Sequence, residues 1–190
     1  MGNCALFTII AGEEGLYMIS SLLGIARRYI ILFGLVKFCA GLVIGFGLGV
    51  YFLPILTAEK GLSDSELTAL SAATARQQVW GGTFTRDLHA SDAFHWGEGR
   101  IHLTKDRAWL DGSVSPGPDY RLYLTKHLVK TKEGFEAARA SAVQVGPIKA
   151  FENFSLEIPD SINISDFGAV LIWCEAFSAF ITAAEISRTL

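Results

Sequence analysis

The run YIILFGLVKFCAGLVIGFGLGVYFLPIL, residues 29–56, limits the architectures open to this chain more than any other stretch, because Lys37 is its only charge. From Phe38 to Leu56 the 19 residues are uncharged. As a helix rising 1.5 Å per residue they reach about 28 Å, one hydrocarbon thickness. A soluble helix of that length would need a polar face, and this one has none. Residues 29–56 are therefore expected to form one transmembrane helix in the lipid bilayer. Arg27, Arg28 and Lys37 lie on its amino-terminal side, against Glu59 and Lys60 beyond the other end. The positive-inside rule then makes residues 1–28 a cytoplasmic tail and everything after the helix extracytoplasmic, periplasmic in a bacterial host. PILTAEKG lacks the small-residue cleavage pattern of a signal peptide, so the expectation is a single-pass anchor in the cell membrane. Gly41, Gly45 and Gly49 recur every four residues along one face. They suit a helix homodimer, although the general frequency of glycine in membrane helices explains them as well.

Past the membrane run, residues 57–79 read as a juxtamembrane helix or linker. Ser63 followed by Glu66 forms a capping box, and Leu67, Leu70 and Ala73 follow at helical spacing. The pattern then changes to short β segments. VWGGTFT, FHWGEGRIHLT, RAWLDG, DYRLYLT, ASAVQV, NFSLEI and GAVLIWCEAF are separated by turn-prone KD, DG, SPGP, KTKEG, VGP and IPD. About seven strands in residues 80–186 predict a mainly β domain, an antiparallel sandwich or barrel. Beyond residue 56 the chain carries 13 basic and 17 acidic residues, a formal charge of −4. That balance leaves no electrostatic footprint for nucleic acid.

Chemistry rests on few residues. Cys4 falls on the cytoplasmic side, Cys39 in the membrane and Cys174 outside, so the expected topology gives Cys174 no intrachain disulfide partner. Strand alternation puts Val170, Ile172, Cys174 and Ala176 on one face, all apolar, and Trp173, Glu175 and Phe177 on the other. Cys174 thus points into the core, where a cysteine is ordinarily a small inert hydrophobe. As a reactive thiolate it would need a cation, a metal or a haem iron beside it. Among the histidines, His95 shares phase with Ile101 and Leu103 and is expected to face inward; a bulge at Gly97 or Gly99 would reverse it. His102 is expected to face solvent. No histidine pair has the spacing of a zinc site, and GSVSPG is not a nucleophile elbow. Asn153 and Asn163 head glycosylation sequons.

The ordered set GTF (82–84), FHWGEG (94–99), GPDYRLYL (117–124), VGPIKA (145–150), FSLEIP (154–159) and VLIWCEAFSAFITAAEI (170–186) resembles the DM-thirteen domain, a family proposed to transfer electrons. The resemblance spans about residues 80–186 and implies a mostly β domain in its membrane-anchored, single-domain form. It maps the family's cysteine onto Cys174, as a bare thiol or the ligand of a group such as haem. It maps the family's histidine onto His95, as co-ligand or proton partner, and its turn onto Gly117, Pro118 and Asp119. Trp173 is expected to pack beside that site. The implied partner is a redox protein, the cofactor haem or none, and no reaction class follows. The competing reading is a non-enzymatic binding or envelope-interaction module in which Cys174 only fills the core.

Overall fold

The structure, a computed structural model, describes residues 4–75 and 77–189. The chain divides into two units, Met1–Gly49 and Val50–Leu190. Helix α1 runs from Cys4 to Thr57 with Pro54 in its last turns. Within it Arg27–Thr57 is one helix long and apolar enough to cross a membrane. The helix starts well before residue 29, where no periodicity announced it. The helix as a whole carries almost no 3.6-residue period, so no apolar stripe marks where it starts. Residues 1–3 of the expected tail lie outside the described residues. A Cβ added at Gly41, Gly45 or Gly49 would meet open space.

Helix α2, Asp64–Thr74, opens on the expected capping box: Ser63 Oγ accepts from the Glu66 N–H, and the Ser63 N–H donates to Glu66 Oε2 at 2.8 Å. The segment before it is held along the β domain. The Glu59 N–H donates to the Lys149 carbonyl at 2.9 Å, and the Leu62 N–H to that of Asn153 at 2.9 Å. Asn153 also donates from Nδ2 to the Leu62 carbonyl and accepts from the Gly112 N–H. The Asn153 sequon is therefore a structural staple, its amide already engaged on both sides.

The rest is a mainly β sandwich of two antiparallel sheets, as expected. The strands are β1 (Val79–Phe84), β2 (Gly97–Leu103), β3 (Arg107–Val114), β4 (Tyr120–Thr125), β5 (Val143–Ile148), β6 (Ser155–Glu157), β7 (Ala169–Cys174), β8 (Ala179–Glu185) and β9 (Ser187–Thr189). One sheet has the order β6-β3-β2-β1-β9, the other β5-β4-β7-β8. The seven expected strands are β1 to β7. The two further strands, β8 and β9, come from SAFITAAEISRT, which no Gly, Pro or Asn separates from β7. Its turn is made instead by Ser178 at φ +47°, a conformation that residue-type statistics rarely assign to serine.

Between the sheets lie Phe84, Ile101, Leu103, Leu110, Leu122, Leu124, Val170, Ile172, Cys174 and Ile181, with others. A second apolar cluster covers the outer face of the four-stranded sheet. There Phe135, from the short helix α3 (Lys132–Ala138), packs on Tyr123, Leu171, Trp173 and Phe180. That helix occupies the stretch read as the turn KTKEG; Thr131 caps it by accepting from the Gly134 N–H at 3.1 Å. Covered on both faces, β7 has all six residues buried, which is why its sequence is a continuous apolar run.

Candidate functional site

Cys174 is the last residue of β7 and is 2% exposed. Its cross-strand neighbours are Tyr120 at the start of β4 and Ala179 at the start of β8. The β7–β8 turn, Glu175–Ser178, folds over this end of the strand. It is tied at its root by the Glu175 N–H, which donates to the Asp119 carbonyl at 2.9 Å. Burial pushes the Cys174 thiol up from its ordinary range, and the nearby Asp119 carboxylate adds to that. The backbone N–H groups of Phe177, Asp119 and Ala176 face the sulfur and pull the other way, without cancelling the effect of burial. In the closed arrangement Cys174 is thus a protonated thiol set in a ring of amide donors.

Tyr120 forms the wall on the β4 side. Its hydroxyl donates to the Pro116 carbonyl at 3.3 Å and lies 3.3 Å from Ser115 Oγ. Burial pushes the phenol up to about 12, partly opposed by Ser115. The chain passes flat against this ring at Gly117, where an added Cβ would sit 2.2 Å from Cε1. That close approach gives the Gly117–Asp119 turn its physical reason. Ser115 in turn joins the β1–β2 loop, its N–H donating to the Trp96 carbonyl at 3.0 Å.

His95 lies in that loop. It precedes β2, which begins at Gly97, and so does not share the strand phase that was to turn it inward. The reason is Asp92, whose carboxylate accepts from the backbone N–H groups of Phe94 and His95 and lies 2.8 Å from His95 Nδ1, closing the loop into a tight turn. The imidazole is 37% exposed. Its connection to Cys174 runs through Trp96, Ser115 and Tyr120. Trp173 is placed differently again: alternation directs it to the opposite face of the sheet, 4.7 Å from the Phe135 ring, with its indole N–H buried and unbonded. It backs the strand that carries Cys174 and does not share the thiol's face. His102 is half-buried rather than solvent-facing, stacked on Trp109 with centroids 5.1 Å apart; burial lowers its pKa.

One cluster carried no sequence signal. On the outer face of the four-stranded sheet, Glu175 accepts from the Tyr123 hydroxyl and from Arg139, whose Nη2 lies 2.6 Å from Oε2 and 2.8 Å from Oε1. Burial alone would raise the Glu175 carboxyl, but the hydrogen bonds from Tyr123 and Arg139 hold it below its ordinary range. Tyr123 is pushed up to about 12 by burial and by that carboxylate. Arg139 comes from the single turn following α3, a stretch whose structure the sequence did not suggest. Among the described residues no group of three or more His, Cys, Asp or Glu could hold a metal ion.

The fold and this site define a two-sheet β domain with a solitary buried thiol at one end. The family model for electron transfer DM13 matches residues 87–186, and the chain belongs to that family. No curated protein and no solved structure matches it.

Proposed function

We propose that this chain is a membrane-anchored, extracytoplasmic electron-transfer domain whose redox step is carried by Cys174. The family supplies the electron-transfer class. The apolar helix Arg27–Thr57 and its flanking charges support the anchor and its orientation. The observation that carries the reading is where the domain leaves apolar surface uncovered. Outside α1, the exposed large hydrophobic residues among those described are Phe94, 63% exposed, and Phe177, 55% exposed. Phe94, in the β1–β2 loop beside His95, lies edge-on to Tyr51 of α1 with ring centroids 6.3 Å apart, whereas Phe177 is the turn residue whose N–H faces the Cys174 sulfur. Phe177 therefore marks the Cys174 end of the sandwich as the place where a redox partner protein would dock; exposed aromatics of this kind anchor protein interfaces.

A haem does not fit on Cys174 in this arrangement. The sulfur is sealed among Tyr120, Ala179 and the turn amides, leaving no opening through which a haem iron could reach it. Cys174 therefore acts as a bare thiol, with His95 and Asp92 as a proton-handling pair at the rim and Trp173 as packing behind the strand. The thiolate is the reactive form, so the turn must open before Cys174 attacks a disulfide of the partner: the Cys174–partner S–S bond forms as the partner's own S–S bond breaks, the leaving sulfur departs as thiolate, and the Cys174 proton goes to water. Gly41, Gly45 and Gly49 give α1 a small-residue face on which two copies of the chain could pair.

The second reading, a binding or envelope-interaction module with Cys174 as core filler, is favoured by the thiol's burial and raised pKa. The redox state of Cys174 in host membranes separates the two. Thiols are trapped by alkylation before and after respiratory electron donors are supplied, and residue 174 is read by peptide mass. Cys174 is expected to change state with electron supply. A constant state under both conditions would leave the binding module.

A further inference from the structure

The β7–β8 turn covers Cys174 from one side of the sheet and is fastened from the other. Glu175 follows the cysteine directly, and alternation sends its carboxylate to the outer face, where Arg139 and Tyr123 grip it. Within the turn itself the Ser178 N–H reaches the Glu175 carbonyl only at 3.4 Å, and Ser178 sits at φ +47°. Beyond the Glu175 N–H on Asp119 and the Ala176 and Phe177 amides that face the sulfur, the turn has little of its own to keep it shut, and Ala176 and Phe177 are exposed.

We infer that Glu175 and Arg139 are positioning residues: their ion pair, completed by the Tyr123 hydroxyl, holds the β7–β8 turn closed over the Cys174 sulfur and so governs when that thiol can react. The inference deepens the redox reading of Cys174 and rests on it for its biological use. Two elements converge on this one carboxylate of the β7–β8 turn: β4 through Tyr123 and the turn after α3 through Arg139. The titratable neighbours are few, and the Tyr120 phenol faces the sulfur from β4. Arg121 lies near Glu175 on the same face and is paired with Asp119 at 2.9 Å, and Asp119 approaches the sulfur from the β4 side. Releasing the clamp frees the amides of Ala176 and Phe177 from the sulfur and admits water to it. The opening is local, since β7 remains paired with β4 and β8 along its length.

The test is the alkylation of Cys174 in the full chain in detergent, followed by peptide mass so that Cys4 and Cys39 do not contribute. It is run against pH for the parent and for Glu175→Gln, Arg139→Gln, Arg139→Lys and Tyr123→Phe. Losing one charge-assisted, partly exposed hydrogen-bonded pair should speed alkylation about tenfold in the two Gln variants. The pH at half-maximal rate should fall toward that of an ordinary thiol as the sulfur is rehydrated. Arg139→Lys should recover most of the parent rate, and Tyr123→Phe should lie between. The urea dependence of the rate should stay shallow, as a local opening requires. Rates within twofold of the parent with an unshifted pH midpoint would overturn the inference. So would acceleration that carries the full urea dependence of global unfolding. Alkylation needs no electron acceptor, so a clamp effect with a redox state of Cys174 that never changes would reject the redox reading alone, and the converse would reject the clamp alone.

Discussion

Phe135→Ala tests whether the second apolar cluster supports the strand that carries Cys174. Phe135 is fully buried, its ring 5.0 Å from Tyr123 and 4.7 Å from Trp173, with the Arg139 guanidinium 5.8 Å from its centroid. It is the one buried residue of α3. A seven-residue helix cannot hold itself without tertiary packing. Truncating a buried Phe costs about 3–5 kcal/mol, and partial collapse of the cluster favours the lower end, about 3 kcal/mol. For a domain of this size that corresponds to a fall in Tm of roughly 10–20 °C. Chemical denaturation of the full chain, followed by tryptophan emission, measures it. Trp173 should become hydrated, so the native emission should shift to the red before the main transition. A loss under about 1 kcal/mol with unchanged native emission would refute the reasoning, because α3 would then not be part of the core.

Three further outcomes follow from the geometry. Gly99→Ala places a Cβ 2.2 Å from the Asp111 carbonyl at a φ of +113°; it should cost about 3 kcal/mol or more in denaturant unfolding, and a neutral result would show that the β2–β3 register is wrong. Tyr120 and Tyr123, both pushed up to about 12, should be the last tyrosines to ionise in a phenolate absorbance titration. Their raised native pKa values contribute stability that is complete below pH about 10 and is lost as the pH rises toward 12; ionisation of all tyrosines near pH 10 in the native state would contradict this. Glu175 has the opposite sign: its lowered pKa contributes stability above the ordinary carboxylate range that is lost as the pH falls through it. The difference in acid unfolding between the parent and Glu175→Gln should therefore vanish at low pH, and a difference that persists there would count against the ion pair.

Much of the fold was legible because its signals are local. The apolar run of α1, the Ser63 capping box and β1 to β7 each carry their own pattern of charge, capping or turn residues. The inward direction of Cys174 followed from alternation alone. The rest depends on contacts distant in sequence. The Ser178 turn carries no glycine to mark it, so β8 and β9 merged with β7. Helix α3 is held by one buried ring, so its short sequence looked like a loop. His95 falls outside the strand phase because Asp92, three residues earlier, closes a turn on it before β2 begins. The Tyr123–Glu175–Arg139 cluster joins residues up to 52 positions apart, and neither carboxylate nor guanidinium differs locally from a solvated surface charge.

The most direct test of the central claim is thiol–disulfide exchange of the full chain with a small-molecule disulfide, read at residue 174 by peptide mass and compared with Cys174→Ala. The alanine variant must first show native near-ultraviolet dichroism. The account predicts a mixed disulfide at residue 174 of the parent that a reducing thiol reverses, and none in the corresponding peptide of the folded variant. A parent whose residue 174 never enters a mixed disulfide would contradict it.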